Sequence, residues 1–187
     1  MLEVAPRLLG ARLRRGPVAV RITEVEAYAG LADPASHAYR GLTPRTTTMF
    51  GPAGRLYVYL SHGIHHCCNV VCGPDGEAAA VLVRAGEVVE GERDARTRRG
   101  DVAHPRLARG PGNLCRALGI DLGHDGVELT SGPVRLELAE PLSRTAIATG
   151  PRVGVSSAAD RPWRFWVAAD PTVSAYRRGK AKTPYAP

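Results

Sequence analysis

Glu24, Glu26 and Tyr28 occupy alternate positions in Glu24-Val25-Glu26-Ala27-Tyr28, just after an apolar segment that begins at Val18. Alternate side chains of an extended chain share a face. If the strand Val18-Ala19-Val20-Arg21-Ile22-Thr23 runs on, two carboxylates and a phenol lie side by side. A carboxylate beside an aromatic ring and away from water has its proton affinity raised, which suits a general base. The alternative is a pair of exposed acids at a strand end. Farther on, Ala35-Ser36-His37-Ala38-Tyr39-Arg40 and Thr43-Pro44-Arg45-Thr46-Thr47-Thr48 are polar and basic, with proline inside the second. That composition fits a loop whose hydroxyls and guanidinium touch phosphates, or plain solvated surface. Arg84 closes the apolar run Ala78 to Val83. An unpaired buried charge is costly, so Arg84 needs a partner such as an ionised Glu26, unless it reaches back to solvent.

Arg55 to Ser61 alternates, with Leu56, Val58 and Leu60 on one face and Tyr57 and Tyr59 on the other. Ser61-His62-Gly63 reads as a turn and Ile64 to Cys72 as the returning arm of a hairpin. Flat rings can stack on a base for about 1–3 kcal/mol, and a protruding tip at His62 and Ile64 can enter a groove and fill a vacated position. The two tyrosines can equally be half-buried strand residues. His62, His65, His66, Cys67, Cys68 and Cys72 also fall close together, and imidazole and thiolate are zinc's preferred ligands. On an extended strand, however, His62 and His65 point opposite ways, as do Cys67 and Cys68. A zinc-dependent hydrolase built on the His62–Cys72 cluster is therefore a lesser alternative, and no metal site is expected.

These residues need elements to position them. Pro6 can open a short helix carrying Leu8, Leu9 and Leu13, and Ala78 to Val83 fits a buried strand. Glu87 to Arg109 is charged and reads as a helix followed by an exposed loop. Gly110-Pro111-Gly112-Asn113 reads as a helix entry capped by Asn113, with Leu114, Ala117 and Leu118 on one face and Gly119 as terminator. Further strands are expected at Val134 to Leu138, Arg152 to Val155 and Trp163 to Val167. Many short strands with few helices predict an α+β protein, a curved, mostly antiparallel sheet with helices around it. The last dozen residues, about 175–187, read as a loose tail of one domain spanning 1–187.

Composition narrows the class. With 187 residues and 44% hydrophobic content the chain can bury one sizeable core and is globular rather than disordered. No apolar run approaches the roughly 20 residues of a membrane span, and Met1-Leu2-Glu3-Val4 is not built like a secretion signal, so no membrane association and a cytoplasmic location are expected. Adjacent cysteines cannot readily bridge each other, so reduced thiols are expected. The formal charge is +7 with arginine supplying most of the cations, which favours an anionic partner because the guanidinium fork suits phosphate. Solubility alone would also account for it.

Taken together, the motifs resemble the alkyladenine (3-methyladenine) DNA glycosylase family. They are Glu24-Val25-Glu26-Ala27-Tyr28, Thr43-Pro44-Arg45, Met49-Phe50, Leu56-Tyr57-Val58-Tyr59 running to Asn69, Leu82-Val83-Arg84-Ala85, Gly110-Pro111 with Leu114-Cys115, and Arg152-Val153-Gly154-Val155. The resemblance runs in family order from about Leu8 to Val173. It implies a fold related to the C-terminal domain of formyltransferases. It also implies a monofunctional enzyme that flips alkylated or deaminated purines from duplex DNA and hydrolyses the N-glycosidic bond. Glu26 then matches the base that activates water, and Arg84 helps hold that water. Tyr28, His37 and Tyr59 match the rings that sandwich the base, and Asn69 and Leu82 match pocket walls. Thr43 and Arg45 would contact the DNA backbone. His62, with Ile64 beside it, stands where many members carry a wedging tyrosine, and imidazole fills a base-pair gap less well than phenol. Double-stranded DNA with a damaged purine is the partner implied, with no cofactor and a monomeric enzyme. A non-catalytic DNA-binding module is the remaining alternative.

Overall fold

The computed structural model describes residues 1–179. A nine-stranded antiparallel sheet curls around one core, its main path running β3-β4-β5-β2-β1-β7. The strands are β1 (Arg12–Arg15), β2 (Val18–Tyr28), β3 (Leu56–Ser61), β4 (His65–Val71), β5 (Ala80–Glu90), β6 (Ala108–Arg109), β7 (Val134–Glu137), β8 (Ile147–Gly150) and β9 (Arg164–Val167). The helices are α1 (Val4–Arg7), α2 (Glu92–Arg99) and α3 (Pro111–Leu118). β2 is central. One edge pairs with β5, and the other is divided between β1 against Val18–Arg21 and β9 against Glu24–Glu26.

Two bulges face each other at the middle of β2 and β5. Ile22 pairs with Gly86 and Glu24 with Ala85, which leaves Thr23 as an extra residue on β2. Glu24 pairs with Ala85 and Val25 with Val83, which leaves Arg84 as the extra residue on β5. Bulges re-aim side chains, and here the core-facing set of β2 changes from Val18, Val20 and Ile22 to Val25 and Ala27. Gly86 is required at this place, because a Cβ there would meet the Arg21 carbonyl at 2.4 Å.

Beyond the bulges the sheet separates two environments by simple alternation. Val25, Ala27, Leu56, Val58, Cys68, Val70, Val81 and Val83 pack into the main core with Leu114, Ala117 and Leu118 of α3. The opposite face presents Glu24, Glu26, Tyr28, Tyr57, Tyr59, Asn69, Leu82 and Arg84. Short 3-10 turns at Gly30–Ala32, His37–Arg40 and Thr47–Phe50 lie on the chain between β2 and β3, and the latter two supply Ala38 and Met49 to a second, smaller core with Tyr57, Val71 and Ala80. The edge strand β3 is covered by the 121–129 segment, whose Asp125 accepts the Val58 N–H at 2.8 Å. That removes part of an otherwise open hydrogen-bonding edge.

Several sequence expectations are corrected. The first helix ends at Arg7, and Leu13 lies in β1, paired with Val20 and Leu136. The charged stretch from Glu87 begins as strand, because β5 continues to Glu90 against β2. Only after Gly91, in the left-handed region, does α2 start. Gly110, not Asn113, precedes α3, and the Asn113 amide instead donates to the Arg109 carbonyl at 2.7 Å. Arg152 to Val155 is not a strand. The strand there is β8, and Pro151 follows it without an N–H to extend the ladder. The hairpin loop is His62-Gly63-Ile64, so Ile64 belongs to the tip rather than the arm. Residues 175–179 are held rather than loose, since the Gly154 N–H donates to the Arg177 carbonyl at 2.8 Å. The rest of the tail expectation, 180–187, lies outside the described residues.

Candidate active site

Three carboxylates and three arginines are buried together: Glu24, Glu26 and Asp33 with Arg84, Arg152 and Arg164. Their charges balance, but the hydrogen bonds are shared unequally. Glu24 accepts from Arg164 Nε at 2.7 Å, Arg84 Nε at 3.1 Å, the Ser174 N–H at 2.7 Å and the Ser174 hydroxyl at 2.9 Å. Asp33 is gripped by both terminal nitrogens of Arg152 and accepts the Ala35 N–H at 3.1 Å. Glu26 accepts only the Val153 N–H at 2.6 Å and the Tyr28 hydroxyl at 2.9 Å, with Arg84 Nη1 at 3.5 Å. Spacing alone makes Glu24 and Glu26 equivalent; the geometry does not. Glu24 is saturated by donors that tie β2, β5, β9 and the Ser174 segment together.

Burial raises the proton affinity of Glu26 above that of an ordinary carboxyl, and neighbouring Glu24 adds to the effect. Arg84, the Val153 amide and Tyr28 oppose it without cancelling it. Arg84 therefore partners both acids, Glu24 more closely than Glu26.

Next to Glu26 lies a slot of about 50 Å³, partly open to solvent and lined by Tyr28, His37, Met49, Tyr57, Tyr59 and Asn69 among others. The Tyr28 hydroxyl links its wall to the Glu26 carboxylate. Tyr57 and Tyr59 stack with centroids 5.7 Å apart, and Tyr57, at 1% exposure, is the buried member. His37 stands edge-on to Tyr59, centroids 4.5 Å apart at 89°, with Nδ1 3.3 Å from the Tyr57 hydroxyl. Burial first, and the nearby Arg45 second, lower the His37 pKa to about 4, so its ring is neutral at pH 7. The expected sandwich is not open in this arrangement. A ring between two others needs them roughly 7 Å apart, twice a carbon–carbon contact, so His37 must turn for a base to lie between it and Tyr59.

Asn69 faces the slot while its amide donates to the Tyr57 carbonyl at 3.2 Å. Leu82 pairs with both Glu26 and Asn69 across the sheet and is buried, and it is not among the side chains that line the slot. The hairpin tip stands clear, with His62 exposed at φ 50° and Ile64 at 71% exposure. Thr43 is exposed and bonded to Thr46. Arg45 is exposed, with its guanidinium 5.6 Å above the Tyr59 ring.

The His62–Cys72 cluster does not converge. Cys68 belongs to the main core, and among the described residues no three His, Cys, Asp or Glu side chains are grouped as a metal would need. Burial pushes the Cys67 thiol up to about 11, which keeps it protonated.

Sequence reasoning missed Asp33, Arg164 and Ser174 and gave the Val153 amide and Arg152 no part. Arg152 packs 4.6 Å from the Tyr28 ring centroid on one side and 5.1 Å from Trp163 on another. Its partner Asp33 is 119 residues away in the chain, so no local spacing could have joined them.

Comparison with known proteins agrees with the motifs. The profile of the methylpurine-DNA glycosylase (MPG) family matches residues 1–171. A relative from Nocardia farcinica is 61% identical over 182 residues, covering 93% of this chain and 86% of its own. One from Cutibacterium acnes is 55% identical over 184 residues, covering 94% and 95%. One from Mycobacterium tuberculosis is 53% identical over 185 residues, covering 95% and 90%. Each bears the provisional name 3-methyladenine DNA glycosylase. No helix among the described residues is long and apolar enough to cross a membrane. With buried acid, ring-lined slot and family profile in agreement, the chain belongs to the methylpurine-DNA glycosylase family, DNA-repair hydrolases of N-glycosyl bonds.

Proposed function

We propose that the protein turns a damaged purine out of duplex DNA into the slot and that Glu26 activates the water that cleaves its N-glycosidic bond. One observation carries this reading: among the described residues Glu26 is the buried acid with the fewest donors, its proton affinity is raised, and it accepts a hydrogen bond from Tyr28 in the wall of the aromatic slot. As the bond from C1′ to the purine nitrogen breaks, its electron pair leaves with the base. Water adds to C1′ and gives a proton to Glu26, whose charge also faces the cationic sugar. Arg84, bulged out of β5, helps hold that water. A base inside the stack is unreachable, and unstacking costs a few kcal/mol, less for a damaged base.

Alkylated purines such as 3-methyladenine and 7-methylguanine carry positive charge. Over the faces of Tyr28, Tyr59 and a neutral His37 that charge gains about 0.5–2 kcal/mol, which a neutral base lacks. They also depart as neutral bases and need no added proton, whereas hypoxanthine does. Asn69 screens purines at the wall with Leu82 behind it, His62 and Ile64 fill the vacated position in the duplex, and Thr43 and Arg45 meet the backbone at the slot's mouth. The chain's lysines are Lys180 and Lys182, outside every motif, which favours one-step hydrolysis over Schiff-base chemistry.

A panel of duplexes, each with one defined lesion (3-methyladenine, 7-methylguanine, hypoxanthine or etheno-adenine), tests the reading. Free base and an alkali-labile site are expected together, with the cationic lesions bound roughly 2- to 30-fold tighter than the neutral ones. Failure to release any of the four bases would reject it. His62→Tyr should keep or improve capture of the flipped base, because phenol fills a base-pair gap better than imidazole. A large loss of binding in that variant would assign His62 another task.

A further inference from the structure

Some surface arginines are neutralised, Arg14 by Glu90 and Glu137, Arg21 by Glu87 and Asp170, Arg55 by Glu128, Arg96 by Glu92, and others, Arg135 and Arg144 among them, have no acidic partner among the described residues. One concavity gathers several arginines. Arg84, Arg99, Arg106, Arg109 and Arg177 line an open basin of about 470 Å³, and no acidic side chain is on its wall. Val153 lies on the same wall. The basin therefore shares Arg84 and Val153, two groups that hold Glu26, with the candidate site.

Within the basin Arg84 pairs with Glu24 and Glu26, and the remaining cations have no acidic partner among the described residues. Arg99 donates to the Leu107 carbonyl at 2.8 Å, and Arg109 donates to the Pro171 and Val173 carbonyls at 2.6 and 3.0 Å. These are neutral acceptors. The guanidiniums of Arg106 and Arg177 have no hydrogen-bond or ion-pair partner among the described residues. Burial, then the charges of Arg116 and Arg106, lower the proton affinity of Arg99, as an unneutralised positive field would. Gathering like charges opposes folding, and an anion relieves it. Guanidinium forks suit phosphate bidentately. Several of them spread along a concave wall suit a chain of phosphates better than one small anion.

We infer that this basin seats the DNA backbone beside the nucleotide held in the slot, with Arg106 and Arg177 each contacting a phosphate. The placement rests on the glycosylase reading, since it is Glu26 that relates basin to slot. Such seating holds the strand beside Glu26 while the nucleotide turns out.

The test is equilibrium binding to an undamaged duplex as salt is raised from 50 to 200 mM. The logarithmic salt slope falls by about 0.9 for each phosphate that is no longer neutralised. Arg106→Gln with Arg177→Gln should therefore flatten it by about 1.8, which makes affinity about 12-fold less sensitive across that range. Arg106→Lys with Arg177→Lys should recover most of the slope. The control, Arg135→Gln with Arg144→Gln, removes the same charge from exposed positions elsewhere and should leave the slope nearly as it was. An unchanged slope in the first pair, or equal flattening in the control, overturns the assignment. Base release by the unaltered protein is scored separately. If it fails while the slope responds as expected, the glycosylase reading falls and the anion basin stands.

Discussion

Glu26→Gln is expected to lower single-turnover excision by about 10²–10⁴-fold and at the same time to raise thermal stability at neutral pH. Both effects come from one property. The folded protein raises the proton affinity of Glu26 above its ordinary value of 4.5 through burial. A group with a raised folded pKa contributes stability below its unfolded pKa and loses that contribution as pH rises through the folded one. At pH 7 the ionised Glu26 is therefore a cost to the fold, and glutamine removes it. The glutamine carbonyl can still accept from the Val153 N–H, and its amide group can donate to the Tyr28 hydroxyl oxygen, so the slot keeps its shape, but it cannot take a proton from water. The unaltered enzyme should accordingly lose activity on acidification at a pH above the usual carboxylate range. Calorimetry and burst kinetics on the same two proteins measure both effects. Near-normal excision by the variant removes Glu26 from the mechanism, and a lower melting temperature contradicts the electrostatic cost assigned to its charge.

Asp33→Asn should destabilise the protein by about 3–5 kcal/mol, because it leaves Arg152 as a buried charge without its counter-charge. For a chain of this length that corresponds to roughly 6–20 °C in melting temperature. Burial alone would raise the Asp33 carboxyl, but the Arg152 fork and the Ala35 and Ala29 amides outweigh it and hold it below 3.8. Its contribution is thus present above pH 3.8 and is lost as pH falls through the folded value. Activity should fall with stability, since Asp33 anchors the loop leading to His37, and Arg152 both backs the Tyr28 ring and precedes the Val153 amide. Asp33→Leu with Arg152→Met, which removes both charges, should recover stability relative to the single variant. Chemical denaturation of the three variants tests this. A single variant within about 1 kcal/mol of the parent would mean that Arg152 finds another partner.

The slot residues that sit on strands were readable from clear alternation, whereas His37 and Met49 sit on 3-10 turns that carry no such period. Tyr57 and Tyr59 fall on one face and Leu56 and Val58 on the other, as their spacing requires. The residues that hold the slot in place were not readable. Ser174 and Arg164 reach Glu24 from 150 and 140 residues away, and nothing in their own neighbourhoods marks them. Arg152 stood in a stretch apolar enough to read as strand, and only Pro151 hinted otherwise. Strand β5 was misread past Val83 because its outer half, Glu87 to Glu90, carries charge on positions that lie near the sheet's rim.

Counting from Val18 by twos places Glu24 and Glu26 with Val20 and Ile22, inside the oily core. They escape it because Thr23 is one residue too many on its strand and Arg84 is one too many on the neighbouring strand, so the ladder turns over once and then resumes its match. A lone deletion at either position would set half of a strand inside out against its partner. Length variation in this stretch is therefore tolerable only as a matched pair, and the proposed base Glu26 and its partner Arg84 are tied to the same odd residue count.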